Sequence, residues 1–265
     1  MDLMTSTQLT QSDIYSNHAR RSWYLKTRRT RLRVLLWLLL LTAAFQALFA
    51  SVPFIDLWVS SLFWTPEHGF YLATLDRLNQ LRAIGYHSYT AMAVLALIGA
   101  FAALKQLKLF TVPGSVWVFI VGVYVFGPGL LVHSILKAYW GRARPDQTVA
   151  FGGDLLFSPP FEIAEQCAAN CSFVSGEAAG ATAFAISTYV LTRFVRSPIL
   201  RHTVFGLALS FAVSGAFLRV VFGRHFLSDV IFSALFVSLI AVGLSFFLSN
   251  RNSILKTLQN TKSRV

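Results

Sequence analysis

Residues 203–249 read TVFGLALSFAVSGAFLRVVFGRHFLSDVIFSALFVSLIAVGLSFFLS, and this stretch decides the fold. Two long apolar runs, 203–222 and 230–249, flank a short segment that contains two arginines, a histidine and an aspartate. Each run is near the roughly 20 residues that an α-helix needs to cross a bilayer. The stretch therefore predicts two membrane-spanning helices joined by a polar segment, Arg219–Asp229.

The polar segment has the residues for phosphate chemistry. His225 and Asp229 are four apart, so on a helix they share one face and can touch. A carboxylate that accepts one ring N–H fixes the tautomer and leaves the other nitrogen free as a base or nucleophile. Arg219 would lie at the end of the preceding helix, where a guanidinium can bind phosphate. The alternative is an interfacial patch with snorkelling arginines and a histidine satisfied by its neighbour.

The composition indicates an all-α, polytopic membrane protein. Of 265 residues, 55% are hydrophobic and 13% are charged, and the mean hydropathy is +0.59. These values exclude an ordinary soluble domain. The net charge is +12, but the cations lie in tails and short loops. We therefore expect the membrane bilayer and its anionic headgroups as partners, and no nucleic acid.

Six spans divide the chain into one membrane domain, 34–249, between a basic cytoplasmic tail, 1–33, and a second one, 250–265. The predicted spans are 34–52, 89–104, 115–136, 176–195, 202–222 and 228–249. A basic flank and a long apolar first run favour an uncleaved first helix over a signal peptide. Residues 65–88 predict an amphipathic helix at the membrane surface, and Gly127-Pro128-Gly129 predicts a kink.

The distribution of Lys and Arg predicts the topology. Clusters in both tails, at Lys105 and Lys108, and between Arg193 and Arg201 would all be cytoplasmic. The loops 53–88, 137–175 and 223–227 would then be outside, on the periplasmic face of a bacterial inner membrane. Lys137, Arg142 and Arg144 contradict the positive-inside rule there, which suggests a functional use for them.

Two further motifs fall on the same outer face. Lys137–Pro145 reads KAYWGRARP, and its alternative interpretation is a basic, aromatic interface belt. Ser172–Glu177 reads SFVSGE. A Ser-Gly pair at a helix start offers free amides and the positive dipole end to an anion, although Ser175 can also be a simple N-cap with Glu177 in the first turn. No carboxylate cluster of the kind that holds two metals accompanies these motifs.

The three motifs together resemble the signature of the type 2 phosphatidic acid phosphatase family, whose members are metal-independent membrane phosphatases with a six-helix core. The matching pattern is Lys137-x6-Arg144-Pro145, then Val174-Ser175-Gly176-Glu177, then Arg219-x5-His225-x3-Asp229. The resemblance implies that His225 attacks phosphorus to give a phosphohistidine, with Asp229 orienting it. It implies phosphate binding by Lys137, Arg144, Arg219, Ser175 and Gly176. No cofactor and no metal ion are implied.

The chain departs from the family at two motif positions. The family usually has histidine as the proton donor where this chain has Glu177. A carboxylic acid can replace it when its surroundings raise its pKa, whereas flanking arginines act the other way. Leu218 stands where the family often has serine. His133, one turn before Lys137, is interpreted as a buried structural histidine rather than a site residue.

Cys167 and Cys171 are the only cysteines, and both lie in the outer loop. In an oxidising compartment such as a periplasm they would form a disulfide before the Ser175 turn; two free thiols are the alternative, because spacing alone does not establish a bridge.

The resemblance implies a phosphorylated membrane lipid as substrate, without specifying which one. Arg77, Arg82 and Arg142 would suit a large anionic headgroup, and the SFVSGE variant resembles the lipid A 4′-phosphatase subgroup. Undecaprenyl pyrophosphate, phosphatidylglycerol phosphate and a lipid phosphotransferase activity are the alternatives. A non-enzymatic binder of anionic lipid would not need the His225 and Asp229 pair. The sequence does not indicate the oligomeric state.

Overall fold

The computed structural model describes residues 11–105 and 112–262, with side chains for 28–105 and 112–249. In these residues the chain forms helices, turns and two isolated β-bridges, Thr65 with Gly69 and Thr148 with Leu155. The predicted all-helical class is confirmed. Most cations of the two predicted tails, and Lys108, lie outside the described side chains.

The helices follow one another along the chain with short connections, except for the long loop 140–175. The α-helices are α1 (Gln11–Ser51), α2 (Phe54–Ser61), α3 (Asp76–Leu104), α4 (Gly114–Tyr124), α5 (Lys137–Tyr139), α6 (Gly176–Thr192), α7 (Pro198–Val221) and α8 (Leu227–Lys262). A π-helix, Val125–Leu136, joins α4 to α5. Three 3₁₀ turns are Tyr71–Thr74, Pro145–Gln147 and Val149–Phe151.

Five helical segments are long and apolar enough to cross a membrane: Arg28–Ser51, Asp76–Leu104, Gly114–Tyr139, Pro198–Val221 and Leu227–Ser249. They match five of the six predicted spans. The remaining predicted span corresponds to α6, which has 17 residues. At about 1.5 Å per residue it is roughly 25 Å long, shorter than the ~30 Å hydrocarbon core. The sixth crossing therefore stays a prediction.

The predicted amphipathic surface helix over 65–88 is wrong. A tight turn closes at Gly69, and α3 then runs without interruption from Asp76 to Leu104. Asp76, Arg77 and Arg82, which suggested a surface helix, lie in the first turns of a membrane-length helix instead. Arg82, one of these positions, binds Glu177 at the start of α6, which explains why a charged residue lies on that helix.

Regular α-helical geometry changes around Pro128, where a kink was predicted. Proline lacks an N–H and cannot complete an α-helical bond. The chain adopts the wider π-helix there, and the Ser134 hydroxyl donates to the Gly129 carbonyl, five residues back. The π-helix continues the helical segment as far as Lys137.

The core lies where the π-helix, α6 and α8 meet the end of the long loop. Phe173 is fully buried at its centre and contacts Trp140, Phe161 and Phe232. The buried face of α6 consists mainly of alanine, so α7 and α8 approach it closely. This packing fixes the start of α6 beside the start of α8, which is where the candidate site lies.

Candidate active site

Asp229 occupies the first turn of α8 and is fully buried. Its Oδ2 accepts from the Phe226 amide at 2.8 Å, as the acidic residue of a helix start commonly does. The same oxygen accepts from the Ser172 hydroxyl at 2.5 Å, and Oδ1 accepts from Arg142 at 2.6 Å. Three donors from three parts of the chain therefore hold this carboxylate in one orientation.

His225 is buried beside Asp229, but it does not use it as its hydrogen-bond acceptor. Its Nδ1 lies 2.8 Å from the Ser172 carbonyl oxygen and 3.7 Å from Asp229 Oδ2. The predicted direct His225–Asp229 bond is thus replaced by a bond to the main chain. Because a carbonyl only accepts, Nδ1 carries the hydrogen. Nε2 is left with its lone pair, which is the state that a nucleophile needs.

Burial also keeps the ring neutral. It lowers the pKa of His225 to about 3, and the cations of Lys137 and Arg219 act in the same direction, while Asp229 opposes them. At neutral pH the ring is therefore unprotonated.

Three cations surround this histidine, and none of them makes a hydrogen bond to a carboxylate within the described residues. Lys137 and Arg144 are more than nine-tenths buried, and they donate to the main-chain oxygens of Cys171 and Asn170, at 2.9 and 2.8 Å. Arg219 is similarly buried, and its Nε makes no hydrogen bond within the described residues. Carbonyl oxygens do not neutralise cations. The site therefore has an excess of buried positive charge, suited to an anion.

The start of α6 adds main-chain donors. Ser175 is the N-cap, since its hydroxyl accepts from the Ala178 amide at 3.3 Å. The next two amides, at Gly176 and Glu177, have no acceptor in the described part of the chain. A methyl group built on Gly176 would lie 3.8 Å from the Lys137 side chain. The Lys137 side chain thus lies over the start of α6, and binding of an anion there stays a prediction.

Glu177 has contacts that a proton donor would not be expected to have. Arg82 binds both of its oxygens, at 2.6 to 3.1 Å, and Arg219 Nε lies 3.4 Å away. Two guanidinium groups stabilise the carboxylate rather than the acid. These contacts connect α3, α6 and α7, and the proton-donor role of Glu177 stays a prediction.

Arg142 and Asp56 form a second ion pair that the sequence analysis missed. Arg142 is fully buried and donates to Asp56, Asp229 and the Ser158 carbonyl, and its guanidinium lies 4.4 Å from the Phe226 ring centroid. The prediction that Arg142 meets a headgroup is therefore wrong. Asp56 also accepts from the amide and hydroxyl of Ser228. Its only signal in the sequence was an isolated acid in an apolar, aromatic stretch.

Three other residues of the sequence analysis have clear positions. His133 is exposed on the π-helix rather than buried, and the site does not include it. Cys167 and Cys171 are joined as a disulfide, with Cα atoms 5.7 Å apart. Among the described residues, no group of three His, Cys, Asp or Glu side chains could hold a metal ion.

Comparison with known proteins agrees with this geometry. The PAP2 superfamily profile matches residues 117–253, slightly more than half of the chain. The chain belongs to the PAP2 superfamily. The matched PAP2 region contains Lys137, Arg144, the Ser175 turn and His225 with its neighbours, whereas Asp56 and Arg82 precede it.

Curated proteins that match the chain are named lipid A 4′-phosphatase, among them the following two. One, from Rhizobium leguminosarum, is 43% identical over 110 residues, 42% of this chain and 45% of the relative. The other, from Francisella tularensis subsp. novicida, is 42% identical over 113 residues, 42% of this chain and 48% of the relative. By these alignments the chain spans about half the length of the curated relatives it matches. No solved structure matches it significantly.

Proposed function

We propose that this PAP2 protein is an integral-membrane lipid phosphatase that hydrolyses a phosphomonoester on a lipid headgroup through a phosphohistidine at His225. One observation carries the proposal. A neutral histidine with a free Nε2 lies among three buried cations: Lys137 and Arg144 donate to main-chain oxygens, and Arg219 lies 3.4 Å from a carboxylate that Arg82 already binds. A phosphate group would supply the missing negative charge.

In the proposed reaction the Nε2 lone pair forms a bond to phosphorus as the bond to the lipid oxygen breaks, and that oxygen takes a proton from solvent and leaves as the lipid alcohol. The transferring group spreads negative charge over its oxygens, and Lys137, Arg144, Arg219 and the start of α6 stabilise that charge. The imidazole becomes positive when it is phosphorylated. Its Nδ1–H remains on the Ser172 carbonyl, and the Asp229 carboxylate lies 3.7 Å away to stabilise the cation. Water then attacks phosphorus and releases phosphate and His225.

An apolar groove supports a lipid as substrate. It lies between α6, α7 and α8 and has a volume of about 530 Å³. It starts at Ala178, Ala216 and Leu227, each within three residues of a site residue, and extends to Tyr189, Phe205 and Ser238. At about 1.5 Å per residue it runs for roughly 17 Å, about one leaflet of a ~30 Å core. An acyl chain fits that shape and depth.

Lipid A is the proposed substrate because both relatives are named for it. We place the site on the periplasmic side of a bacterial inner membrane, with both termini cytoplasmic. The distribution of Lys and Arg over the loops supports that orientation.

The test is phosphate release from purified lipids in detergent with EDTA present. The panel contains lipid A, undecaprenyl pyrophosphate, phosphatidylglycerol phosphate and phosphatidic acid. We expect the parent protein and a His133→Ala control to release phosphate, most readily from lipid A, and His225→Ala to release none. A ³²P-labelled substrate should label the parent covalently, with the acid lability of phosphohistidine. An inactive parent, or an active His225→Ala variant, would contradict the proposal.

The groove is tested separately with a bulky residue. Ala234→Phe fills it from α8, and Ser214→Phe adds the same ring to an exposed position of α7 outside the groove. We expect the first to reduce kcat/KM for a long-chain lipid and not for a short-chain phosphate ester, and the second to change neither. Equal loss on both substrates would show that the groove does not hold the chain.

A further inference from the structure

Three consecutive carbonyl groups of the long loop bind three of the site's functional side chains. Asn170 O accepts from Arg144 at 2.8 Å, Cys171 O accepts from Lys137 at 2.9 Å, and Ser172 O accepts from His225 at 2.8 Å. We call residues 170–172 the carbonyl strap. One short piece of main chain thus contacts two phosphate-binding cations and the nucleophile, so a shift in this backbone would move all three.

The downstream end of the strap is firmly held. The amides of Cys171 and Ser172 donate to the carbonyls of Lys137 and Arg142, at 3.3 and 2.9 Å. Ser172 also donates its hydroxyl to Asp229. Phe173 follows in the core. The strap therefore pairs with the same segment whose side chains it binds.

The upstream end has almost no support apart from one covalent bond. Residues 168–170 are exposed, and their amides donate no hydrogen bond within the described part of the chain. Asn170 has a φ of 53°, the left-handed region that asparagine tolerates better than most residues. The Cys167–Cys171 disulfide closes this exposed turn and ends inside the strap.

We propose that the disulfide-closed turn 167–171 is a positioning element for the phosphate site, which acts by holding the carbonyl strap against Lys137, Arg144 and His225. Cys167, Cys171 and Asn170 are positioning residues in this scheme, because none of them needs to touch the substrate. The proposal rests on the proposed phosphatase function and adds to it a dependence on the oxidised state of a loop outside the helices.

Opening the disulfide should weaken phosphate binding before it unfolds the protein. Dithiothreitol transfers two electrons and two protons to the bridge, which gives two thiols and the cyclic oxidised reagent. In the reduced parent, and in Cys167→Ala, the carbonyls of Asn170 and Cys171 are free to move. We expect the inhibition constant for inorganic phosphate and the KM to rise about tenfold or more, with a smaller change in kcat.

A second readout concerns His225. Its acceptor Ser172 keeps its amide bond to Arg142 and its hydroxyl bond to Asp229 when the disulfide opens, so the ring should stay buried with its pKa near 3. The acid limb of kcat/KM should then lie at the same pH in the reduced protein, in Cys167→Ala and in the oxidised parent, whereas general loosening of the site would shift it to higher pH. All three profiles are measured with the same substrate, so the ionisation of the substrate phosphate affects them equally.

Asn170 tests the same element without touching the disulfide. Asn170→Gly retains access to the left-handed conformation and should behave as the parent does. Asn170→Val places a β-branched residue at that φ, which disfavours it, and should displace the carbonyl that holds Arg144. We expect Asn170→Val to raise the phosphate inhibition constant as Cys167→Ala does, with thermal stability close to that of the parent.

The controls separate this proposal from the proposed function. Ala168→Ser lies in the same turn, retains the disulfide and should match the parent, and Cys167→Ala should no longer respond to dithiothreitol. If the parent releases no phosphate from any lipid, the proposed function fails. If the parent is active but its phosphate inhibition constant and KM are unchanged by reduction, by Cys167→Ala and by Asn170→Val, the positioning role is wrong and the phosphatase assignment survives.

Discussion

The two ring nitrogens of His225 face different surroundings. Nδ1 is bonded to a main-chain carbonyl, which stays an acceptor at every pH, so the tautomer does not depend on the ionisation of a neighbour. Asp229 contributes through Ser172 and through its charge at 3.7 Å. The carboxylate is therefore placed to stabilise the phosphorylated ring more than to orient the resting one.

The buried state of His225 predicts a pH-dependent stability. Its pKa is about 3 in the folded protein and near 6.5 in an unfolded chain. The unfolded state thus binds more protons between these values. The stability from this group is complete above pH 6.5 and falls as the pH decreases toward 3. Thermal unfolding in detergent from pH 7 to 4.5 should show the decrease.

His225→Gln should flatten that pH dependence, since glutamine does not titrate, whereas exposed His133→Gln should leave it as in the parent. A slope that persists unchanged in His225→Gln would mean that other groups cause it.

Glu177 predicts a second result at the residue scale. Its carboxylate already binds Arg82 and lies against Arg219, so Glu177→Gln removes an ion pair that positions a phosphate ligand. We expect KM to increase and kcat to fall by less than about tenfold. The alkaline limb of the pH–rate profile, which is the decrease in rate at high pH, should be the same as in the parent. Loss of a general acid would instead cost roughly 10²–10⁴ in kcat and remove that limb. Steady-state kinetics from pH 5 to 9 distinguish the two.

At the scale of elements, the connection between α7 and α8 depends on Gly223. Its φ is +64°, and a methyl group there would lie 2.3 Å from the ring of Phe70. The turn is further tied down because the Gly223 carbonyl accepts from the Asp146 amide at 3.0 Å. Any shift of this residue is passed on to His225, two positions later.

Gly223→Ala should therefore lower both the thermal midpoint and the activity. The left-handed conformation alone costs roughly 1–2 kcal/mol for a residue with a Cβ, and the contact with Phe70 adds to it. Gly152→Ala is the matched control, because Gly152 has a φ of +83° but nothing within 4 Å of the added methyl. We expect it to lose some stability and keep its activity. Equal activity in both variants would argue against strict positioning by this turn.

At the scale of the whole molecule, Arg142 joins parts of the chain that are far apart in sequence. It binds Asp56 on α2 and Asp229 on α8, and all three side chains are inaccessible to solvent. Burial raises the pKa of Asp56, and Arg142 opposes that shift. The short helix α2 is thereby tied to the base of the active site.

Arg142→Leu would leave two buried carboxylates without their cation. Breaking such a pair typically costs about 3–5 kcal/mol, so we expect little folded protein in the membrane and a much lower thermal midpoint. Arg224→Leu removes an exposed arginine paired with Asp146 and should change stability by at most about 1 kcal/mol. Fluorescence-detected size-exclusion chromatography with a thermal ramp measures both. A folded Arg142→Leu variant of parental stability would contradict the central role of this residue.

Local patterns in the sequence predicted much of this protein. Apolar runs of span length follow directly from composition, so all five membrane-length helices were predicted, although α3 begins at Asp76 and not at 89. The residues proposed for the site were singled out by three motifs, because the phosphate chemistry calls for particular residue types at fixed spacing, and their roles stay a prediction. His225, Lys137, Arg144 and Arg219 indeed lie around one point.

Only the tertiary structure determined which groups pair with which. Long-range partners such as Asp56 with Arg142, Glu177 with Arg82, and His225 with the Ser172 carbonyl are separated by 53 to 95 residues. Spacing along the chain carries no information about such pairs. Main-chain carbonyls are present at every residue, so no sequence pattern marks the three that hold the site. Close packing of the helices and the long loop decides them, because buried charges and N–H groups must find partners where water is excluded.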